Sequence, residues 1–410
     1  MRVIVIGAGI AGCVTAMELH QRGYDVQVYE SVREIAPLGV GINILPHAMA
    51  VLDGIGIMES LLPQGVPTGE LAFFNKFGQL IWREPRGTAA GYPVPQLSIH
   101  RGVLQMLLFD EARGRLGVDA MRTGHQLVSF TPGDASTRPT VTLEHRATGE
   151  RVADSADLVI GADGIHSTVR KTFYPNEGQP NWSGNLLWRA TTVRTPFLTG
   201  RSMFMAGHLP HKFVGYPITE PDTDGNQVIN WIAELRGTEP LRGREDWNKK
   251  VDKALFADHF SDWCFDWLDI PELIAGGSDV YEFPMVDRDP LPAWTFGRTT
   301  LLGDAAHPMY PIGSNGASQA MLDAHAIAQA LAEHSDIDDA LRTYEDARRT
   351  ATAKIVMSNR QHGPERVLDL AQERAPHGFD RIEDVFAAGE LEEISNSYKQ
   401  VAGFARPSQH

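Results

Sequence analysis

Cysteine is almost absent from this chain of 410 residues: only Cys13 and Cys264 occur, far apart and without metal-ligand spacing. Two such cysteines exclude a disulfide framework and a cysteine-based zinc site, and they fit a reducing cytoplasm. Long apolar runs are absent too, since no stretch of about 18 apolar residues occurs, and the first apolar run is too short for a signal sequence. We therefore expect a cytoplasmic protein with no membrane span and no metal.

Positive charge is also scarce. The chain has 37 Lys and Arg against 52 Asp and Glu, which gives a formal net charge of -15. Duplex nucleic acid and anionic membranes select clustered cations, so neither is an expected partner. Hydrophobic residues make up 42% and charged residues 22%, which is the composition of an ordinary globular enzyme.

The N-terminal segment RVIVIGAGIAG (2–12) is a short β-branched strand followed by Gly7, Gly9 and Gly12 in G-x-G-x-x-G spacing. The first glycine permits a tight turn, the second lets the backbone approach a pyrophosphate, and the third lets a helix pack on the strand. A second strand, DVQVYE, then ends at Glu30, where a ribose-binding carboxylate is expected. A glycine-rich turn without a ligand is the alternative, but the context favours a dinucleotide site, either NAD or FAD.

Two later segments repeat the order of strand, glycine-flanked acid and helix. DLVIGADGIHSTVRKTF (157–173) contains Asp163, although a plain strand-to-turn junction would also explain its Asp-Gly pair. LLGDAAHPMYPIGSNGASQA (301–320) contains Asp304, a proline-stiffened loop and an amphipathic helix after Gly316. Both segments are typical of a loop shaped around a bound molecule.

In this order the three motifs resemble the three fingerprints of the class A FAD-dependent aromatic hydroxylases, a group of flavoprotein monooxygenases. Four segments resemble the phenazine-carboxylate monooxygenase branch in particular: PLGVGIN, SIHRGVLQMLL, FPMVDRDPLP and MYPIGSNGASQA. The resemblance implies an α/β fold of the para-hydroxybenzoate hydroxylase type. In such a fold a Rossmann-like FAD-binding domain carries an inserted antiparallel-sheet substrate domain and C-terminal helices.

On that resemblance the chain divides into four parts. The FAD-binding domain takes residues 1–178, with a short substrate-domain excursion near 70–95, and is completed by 283–360. Residues 179–282, with short aromatic strands, form the substrate-binding β-sheet domain. Residues 361–410 form a C-terminal helical tail.

The resemblance also implies the chemistry. FAD is bound noncovalently, and NAD(P)H is a transient reductant, since a second G-x-G-x-x-G for a fixed reductant domain is absent. Reduced flavin takes O2 to a C4a-hydroperoxide, which hydroxylates a planar aromatic acid of the phenazine-carboxylate or salicylate type, with or without loss of CO2. The chain is expected to be a monomer or homodimer. Two alternatives stay open: an FAD-dependent oxidase or dehydrogenase, and a catalytically idle flavin-binding module.

The same resemblance assigns the site residues. Arg101 is implied to reach the FAD phosphates, Asp304 the ribitol or ribose region, and Asp163 the pyrophosphate region. The helix after Gly316 would point its N-terminus, which carries partial positive charge, at the flavin. The remaining cofactor-binding candidates are Gly7, Gly9, Gly12, Glu30, Gly41, Pro311, Gly313 and Asn315.

His211 and Tyr216 are the catalytic candidates, because hydroxynicotinate-type members place substrate-contacting residues in this stretch. Either side chain could orient a phenol or help to remove its proton. Asn43 stands where those members carry a histidine, which argues against a hydroxynicotinate substrate. Four aromatic residues are candidates to stack on a planar substrate, with core packing as the alternative: Trp188, Phe204, Tyr216 and Trp231.

Overall fold

The computed structural model describes residues 1–36, 39–237 and 249–405. Pro37 and Leu38, which begin the PLGVGIN motif, lie outside the described residues, as do 238–248 of the predicted substrate domain and 406–410 of the predicted tail. In the described ranges, no helix combines the length and apolar character that a membrane crossing requires.

The described residues form 22 strands and ten α-helices. The strands are β1 (Arg2–Ile6), β2 (Asp25–Tyr29), β3 (Gly41–Ile44), β4 (Gly65–Thr68), β5 (Glu70–Phe74), β6 (Leu80–Pro85), β7 (Gln96–His100), β8 (Met121–Arg122), β9 (His125–Thr131), β10 (Thr140–His145), β11 (Arg151–Ser155), β12 (Leu158–Gly161), β13 (Asn181–Arg194), β14 (Ser202–His208), β15 (His211–Pro217), β16 (Gln227–Arg236), β17 (Lys250–Val251), β18 (Cys264–Phe265), β19 (Leu268–Asp269), β20 (Val280–Asp287), β21 (Thr295–Phe296) and β22 (Thr299–Leu301). The helices are α1 (Ile10–Gln21), α2 (Pro46–Gly54), α3 (Met58–Leu61), α4 (Arg101–Leu116), α5 (Thr168–Phe173), α6 (Ile270–Ala275), α7 (Gly316–Glu333), α8 (Ile337–Arg360), α9 (Arg366–Arg374) and α10 (Glu390–Val401).

A six-stranded sheet in the order β21-β22-β12-β1-β2-β8 forms the first layer. Its central strand β1 pairs in parallel with β2 and β12, and β12 pairs in parallel with β22. Because the carboxyl ends of parallel neighbours meet at one edge, the three glycine motifs, which follow β1, β12 and β22, come together there. Ligands of open α/β sheets bind at this kind of edge.

An eight-stranded sheet in the order β17-β20-β13-β16-β15-β14-β5-β6 forms the second layer. It draws strands from 70–85 and from 181–287, so β5 and β6 join the strands that follow β12. One face packs an aromatic cluster that includes Phe213, Trp231 and Phe260. The opposite face packs against α9 and α10 and looks toward the first sheet.

The C-terminal helices belong to the core of this second layer. Leu368 of α9 and Leu391 of α10 are buried against the eight-stranded sheet. Lys399 of α10 pairs with the buried Glu84 of β6 at 2.6 Å, and Ser395 Oγ donates to the same carboxylate at 2.5 Å. The tail is therefore fixed to the sheet by apolar packing and by an ion pair.

Candidate active site

One elongated cleft of about 390 Å³ runs between the two sheets. Its first half is lined by the three glycine motifs and its second half by the inner face of the eight-stranded sheet. Eight of the candidate residues from the sequence line it: Gly9, Gly41, Arg101, Tyr216, Asp304, Pro311, Asn315 and Gly316. The other six do not: Gly7, Gly12, Glu30, Asp163, His211 and Gly313.

The three glycines of the first motif have different surroundings: Gly7 and Gly12 lie against backbone atoms, and Gly9 faces open space. Gly7 has a φ of +103°, and a Cβ there would lie 2.5 Å from the Ala162 carbonyl oxygen. A Cβ at Gly12 would lie 1.9 Å from the Gly7 carbonyl oxygen, so α1 can pack on β1 only without a side chain here. At Gly9 a Cβ would meet no atom within 4 Å and would project into open space at the start of α1.

Glu30 supports the motif from the end of β2 instead of lining the cleft. Its carboxylate accepts hydrogen bonds from the backbone N–H groups of Ala8, at 2.7 Å, and Val32, at 2.8 Å. Arg101 lies at the first turn of α4 and directs its side chain into the cleft. Burial lowers the pKa of Arg101, and the carboxylate of Asp304 opposes that shift. Arg101 therefore remains a cation at the dinucleotide half.

The two acids of the later motifs have different positions. Asp304 lines the cleft, and burial raises its pKa although His307 and Arg101 act in the opposite direction. Asp163 accepts hydrogen bonds from Ser167 Oγ at 2.5 Å and from the Thr168 N–H at 2.7 Å, at the start of α5. Asp163 thus shapes the backbone of 162–164, of which Ala162 and Gly164 line the cleft.

The third motif forms a loop that the C-terminal helix supports from behind. Gly313 has a φ of +66°, and a Cβ there would lie 2.1 Å from the Tyr398 hydroxyl. That hydroxyl accepts a hydrogen bond from Asn315 Nδ2 at 2.7 Å and donates to Asn359 Oδ1 at 2.9 Å. Gly316 then begins α7, whose N-terminus lines the cleft. His307 is structural, since its Nε2 lies 2.5 Å from buried Asp323.

These residues fit an FAD molecule. The N-termini of α1 and α7 both face the cleft, and helix N-termini offer backbone N–H groups and partial positive charge to anionic groups. Arg101 adds a full positive charge for phosphate, and Gly9 leaves room for close approach of a pyrophosphate. A metal site is not indicated, because the described residues contain no group of three or more His, Cys, Asp or Glu that could hold an ion.

The second half of the cleft is a slot with largely apolar walls, and Arg189 is a cation in it that pairs with no carboxylate in the described part of the chain. Four methionines, which are unbranched and adapt to flat ligands, line it: Met203, Met205, Met285 and Met309. Arg189 of β13 donates from Nη2 to the Gly41 carbonyl oxygen at 2.7 Å, while its Nε has no hydrogen-bond partner. No carboxylate of the described residues pairs with Arg189. Burial lowers the pKa of its guanidinium, because the charged group is removed from water. Gly41 must be glycine, because a Cβ would lie 2.8 Å from the ring of Tyr216.

Tyr216 is buried at this cation. Arg189 and Asn43 lie against its hydroxyl and favour ionisation, but burial dominates and raises the pKa of Tyr216 above its usual value. The phenol therefore stays protonated at neutral pH and can donate a hydrogen bond to a ligand. Asn43 Oδ1 is held in turn by Ser98 Oγ at 2.9 Å and by Gln96 Nε2 at 3.0 Å.

His211 does not line the cleft, although its place in the sequence groups it with Tyr216 on the substrate face. Successive side chains of a strand point to opposite faces, so on β15 Lys212, Val214 and Tyr216 face the cleft while His211 faces away. Its ring lies 4.9 Å from that of Phe260 and 4.8 Å from that of Trp263. Burial lowers the pKa of His211 to about 4, so it is neutral in this aromatic layer.

Three of the four aromatic candidates for substrate stacking also pack away from the cleft. Trp188, Phe204 and Trp231 belong to the aromatic core on the far face of the sheet. Trp188 stacks on Phe256 with a centroid distance of 4.9 Å. Of the four, Tyr216 alone lines the slot.

Sequence reasoning missed four charged residues that line the slot: Arg189, Lys212, Glu234 and Glu365. A period of two along β15 would have found Lys212, because it shares the face of Tyr216. A charged residue inside an otherwise apolar strand would have indicated Arg189 and Glu234. Glu365 carries no such signal, since it lies in a short turn after α8.

Comparison with known proteins identifies this arrangement. The FAD binding domain family matches residues 1–359. The chain belongs to this family. Phenazine 1,6-dicarboxylic acid hydroxylase PhzS from Lysobacter antibioticus is 42% identical over 363 residues, which are 87% of this chain and 89% of that protein. 6-Hydroxynicotinate 3-monooxygenase from Pseudomonas fluorescens is 31% identical over 344 residues, with 81% and 83% covered. The protein is therefore an FAD-dependent aromatic hydroxylase, and the resemblance stated from its motifs is confirmed.

Solved structures agree on the fold of the hydroxylase. Klebsiella pneumoniae HpxO complexed with FAD and uric acid superposes with a TM-score of 0.73 at 23% identity and covers 99% of this chain and 96% of that one. The tetrameric 2-methyl-3-hydroxypyridine-5-carboxylic acid oxygenase gives a TM-score of 0.70 at 23% identity, with 98% and 95% covered. At these identities the likeness concerns the fold alone, and it confirms the predicted α/β architecture.

Proposed function

We propose that this hydroxylase uses NAD(P)H and O2 to hydroxylate a planar, fused-ring aromatic acid of the phenazine-carboxylate type. The observation that carries the proposal is the Arg189 guanidinium, which no carboxylate of the described residues pairs and whose Nε has no hydrogen-bond partner, inside a methionine-lined slot that continues into the FAD half of the cleft. A buried cation without a counterion is costly, and an aromatic carboxylate would supply that counterion. The name of the relative PhzS supports a phenazine acid as the substrate class.

Bound FAD would supply the redox and oxygen chemistry of the reaction. The residues of the slot would bind and orient the ring: Arg189 holds the carboxylate, and Tyr216 donates a hydrogen bond beside it. The methionine walls exclude water and favour a flat ring by dispersion contact. Because its pKa is raised, Tyr216 would serve as a donor and not as the base that deprotonates the substrate.

The test of this proposal is NAD(P)H consumption by the FAD-loaded enzyme with a panel of planar aromatic acids, followed by mass analysis of products formed under 18O2. We expect a phenazine carboxylic acid to stimulate consumption and to yield a product with one oxygen atom from O2. Reduction of the flavin by an organic substrate without NAD(P)H, and no label in the product, would favour an oxidase. Bound FAD that no aromatic acid brings to turnover would favour an idle flavin-binding module.

The two candidates on β15 should differ in their effects on this turnover. Tyr216→Phe removes the donor beside Arg189 and should lower turnover or raise KM by about tenfold, the effect of losing a hydrogen bond to a charged group. His211→Ala should leave both constants within about twofold of wild type, equivalent to less than 0.5 kcal/mol. Steady-state kinetics of both variants check this. A larger loss in His211→Ala than in Tyr216→Phe would contradict the assignment of the two faces.

A further inference from the structure

We propose that Lys212, Glu234 and Glu365 form a second recognition site at the far end of the slot, where Glu365 donates a hydrogen bond to an acceptor on the distal edge of a fused-ring substrate. The inference rests on the proposed function, since it concerns the same slot. It adds a specificity element to the carboxylate site of Arg189 and Tyr216. We refer to these three residues as the buried triad.

The buried triad is assembled from three separate elements. Lys212 of β15 lies opposite Glu234 of β16 in the antiparallel register, and their Nζ and Oε2 atoms are 2.8 Å apart. Glu365, from the turn before α9, pairs with the same ammonium group. The side chains of all three are at most 3% exposed, yet all three line the cleft. A charged cluster this deeply buried normally needs every partner satisfied.

Charge counting shows that the buried triad must bind an extra proton. One ammonium and two carboxylates give a net charge of -1 when all are ionised, and an isolated buried charge is strongly disfavoured. Burial raises the pKa of Glu365, and Glu234 and Asp369 raise it further, while Lys212 opposes the shift. Burial disfavours the charge of Lys212 as well, but the two glutamates raise its pKa. Because the pKa of Glu365 is raised, we place the proton of the buried triad on this carboxyl group, which makes it the donor.

The neighbouring polar groups leave this donor available. Asn185 Nδ2 donates to Glu234 Oε1 at 2.8 Å, and the Lys212 ammonium lies against Oε2, so both oxygens of Glu234 already have donors. The nearby carboxylate of Asp369 is hydrogen-bonded to His362 Nδ1 at 2.7 Å and to the Leu209 N–H at 2.9 Å, so it has partners of its own. The remaining titratable group that senses Glu365 is Tyr398, whose hydroxyl is already bonded in the loop of the third glycine motif.

Strand geometry sets the distance between the two ends of the slot. Lys212 and Tyr216 are four residues apart on the same face of β15, which places their backbones about 13 Å apart. A single aromatic ring held at Arg189 cannot reach the buried triad, whereas a fused three-ring acid extends toward it. The acceptor on its distal edge would be a ring nitrogen or a second carboxylate.

A purely structural role is the competing explanation, because the pair between Glu365 and Lys212 also ties the turn after α8 to the sheet. Lys399 and Glu84 provide a matched control. They form another Lys–Glu pair that anchors the C-terminal region to the sheet, at 2.6 Å, with Glu84 buried and Lys399 partly buried, but neither residue lines the cleft. Loss of anchoring alone should therefore affect Lys399→Met and Lys212→Met in the same way.

The experiment measures Kd from perturbation of the flavin spectrum in the FAD-loaded enzyme. The probes are phenazine-1-carboxylate, phenazine-1,6-dicarboxylate and anthracene-1-carboxylate, which has the same shape without ring nitrogens. We expect the wild type and Lys399→Met to bind at least one phenazine acid about fivefold more tightly than the anthracene acid, equivalent to about 1 kcal/mol. Preference for both phenazine acids identifies the ring nitrogen as the acceptor, and preference for the dicarboxylate alone identifies the second carboxylate.

The variants and the pH dependence test whether the proton on Glu365 donates the hydrogen bond to the substrate. In the wild type the preference should fall as pH rises through the pKa of Glu365, because the ionised carboxylate cannot donate. Glu365→Gln keeps an N–H donor and should retain the preference without this pH dependence, whereas Glu365→Ala and Lys212→Met should lose the preference at every pH. If Lys212→Met does not fold, the Gln and Ala variants of Glu365 decide the question.

Three outcomes would overturn the proposal. Equal binding of the three acids by the wild type, or an unchanged preference in Glu365→Ala, would reduce the buried triad to a structural clamp and leave the proposed function standing. Failure of all three acids to bind would count against the proposed function and remove the basis of this site as well.

Discussion

Gly9→Ala should weaken FAD binding while the protein stays folded. A Cβ at Gly9 meets no protein atom within 4 Å, so the substitution has no steric cost in the protein alone. The same Cβ projects into the cleft at the start of α1, where a pyrophosphate would approach the backbone. Overpacking costs of 1–3 kcal/mol correspond to a rise in Kd for FAD of about fivefold to 150-fold.

Gly12→Ala is the matched comparison, because it adds the same methyl group one helical turn further along. Here the Cβ would lie 1.9 Å from the Gly7 carbonyl oxygen, so the backbone itself must move. We expect a loss of about 3 kcal/mol in the free energy of unfolding, together with loss of FAD. Thermal denaturation and FAD titration of both variants check the pair. A Gly9→Ala protein with wild-type FAD affinity would show that the cofactor does not approach this turn.

The dinucleotide half of the site could be predicted from the sequence because its determinants are local. Gly12 must leave room for the carbonyl oxygen of Gly7, five residues earlier in the same motif, and this requirement leaves a fixed glycine spacing in the sequence. Asp304 and Gly316 lie in one continuous segment, so a single motif places both at the cleft. Glu30 was found at the end of β2 for the same reason, although its carboxylate supports the first turn instead of lining the cleft.

The substrate half of the site depends on strand faces and on contacts between distant segments, which a local sequence pattern does not contain. The choice between His211 and Lys212 is a choice of strand face, and a shift of one residue exchanges the two faces. Histidine is a common acid–base group, which favoured the wrong neighbour, whereas burial between two glutamates makes Lys212 unusual. Those glutamates come from β16 and from the turn after α8, so only the folded chain brings the three together.

Arg189→Met should remove the preference of the slot for a carboxylate without destabilising the protein. The guanidinium is the positive group of the slot nearest Tyr216, and its pKa is lowered by burial, which means that its charge is costly in the absence of a counterion. Methionine keeps much of the apolar volume and removes that charge. The variant loses the hydrogen bond to the Gly41 carbonyl oxygen, but it also no longer carries the desolvation cost of the Arg189 charge. Because these two effects offset each other, the free energy of unfolding should change by less than about 1 kcal/mol.

The measurement compares an acid with its neutral amide, phenazine-1-carboxylate with phenazine-1-carboxamide, by their Kd values for the FAD-loaded enzyme. The wild type should favour the acid by about tenfold to 150-fold, the equivalent of 1.5–3 kcal/mol for a hydrogen bond to a charged group. Arg189→Met should bind the two equally. Arg194→Met is the control, because Arg194 lies on the same strand but outside the cleft. If Arg189→Met still favours the acid as strongly as Arg194→Met does, another residue holds the carboxylate and the orientation of the ring in the slot must be reversed.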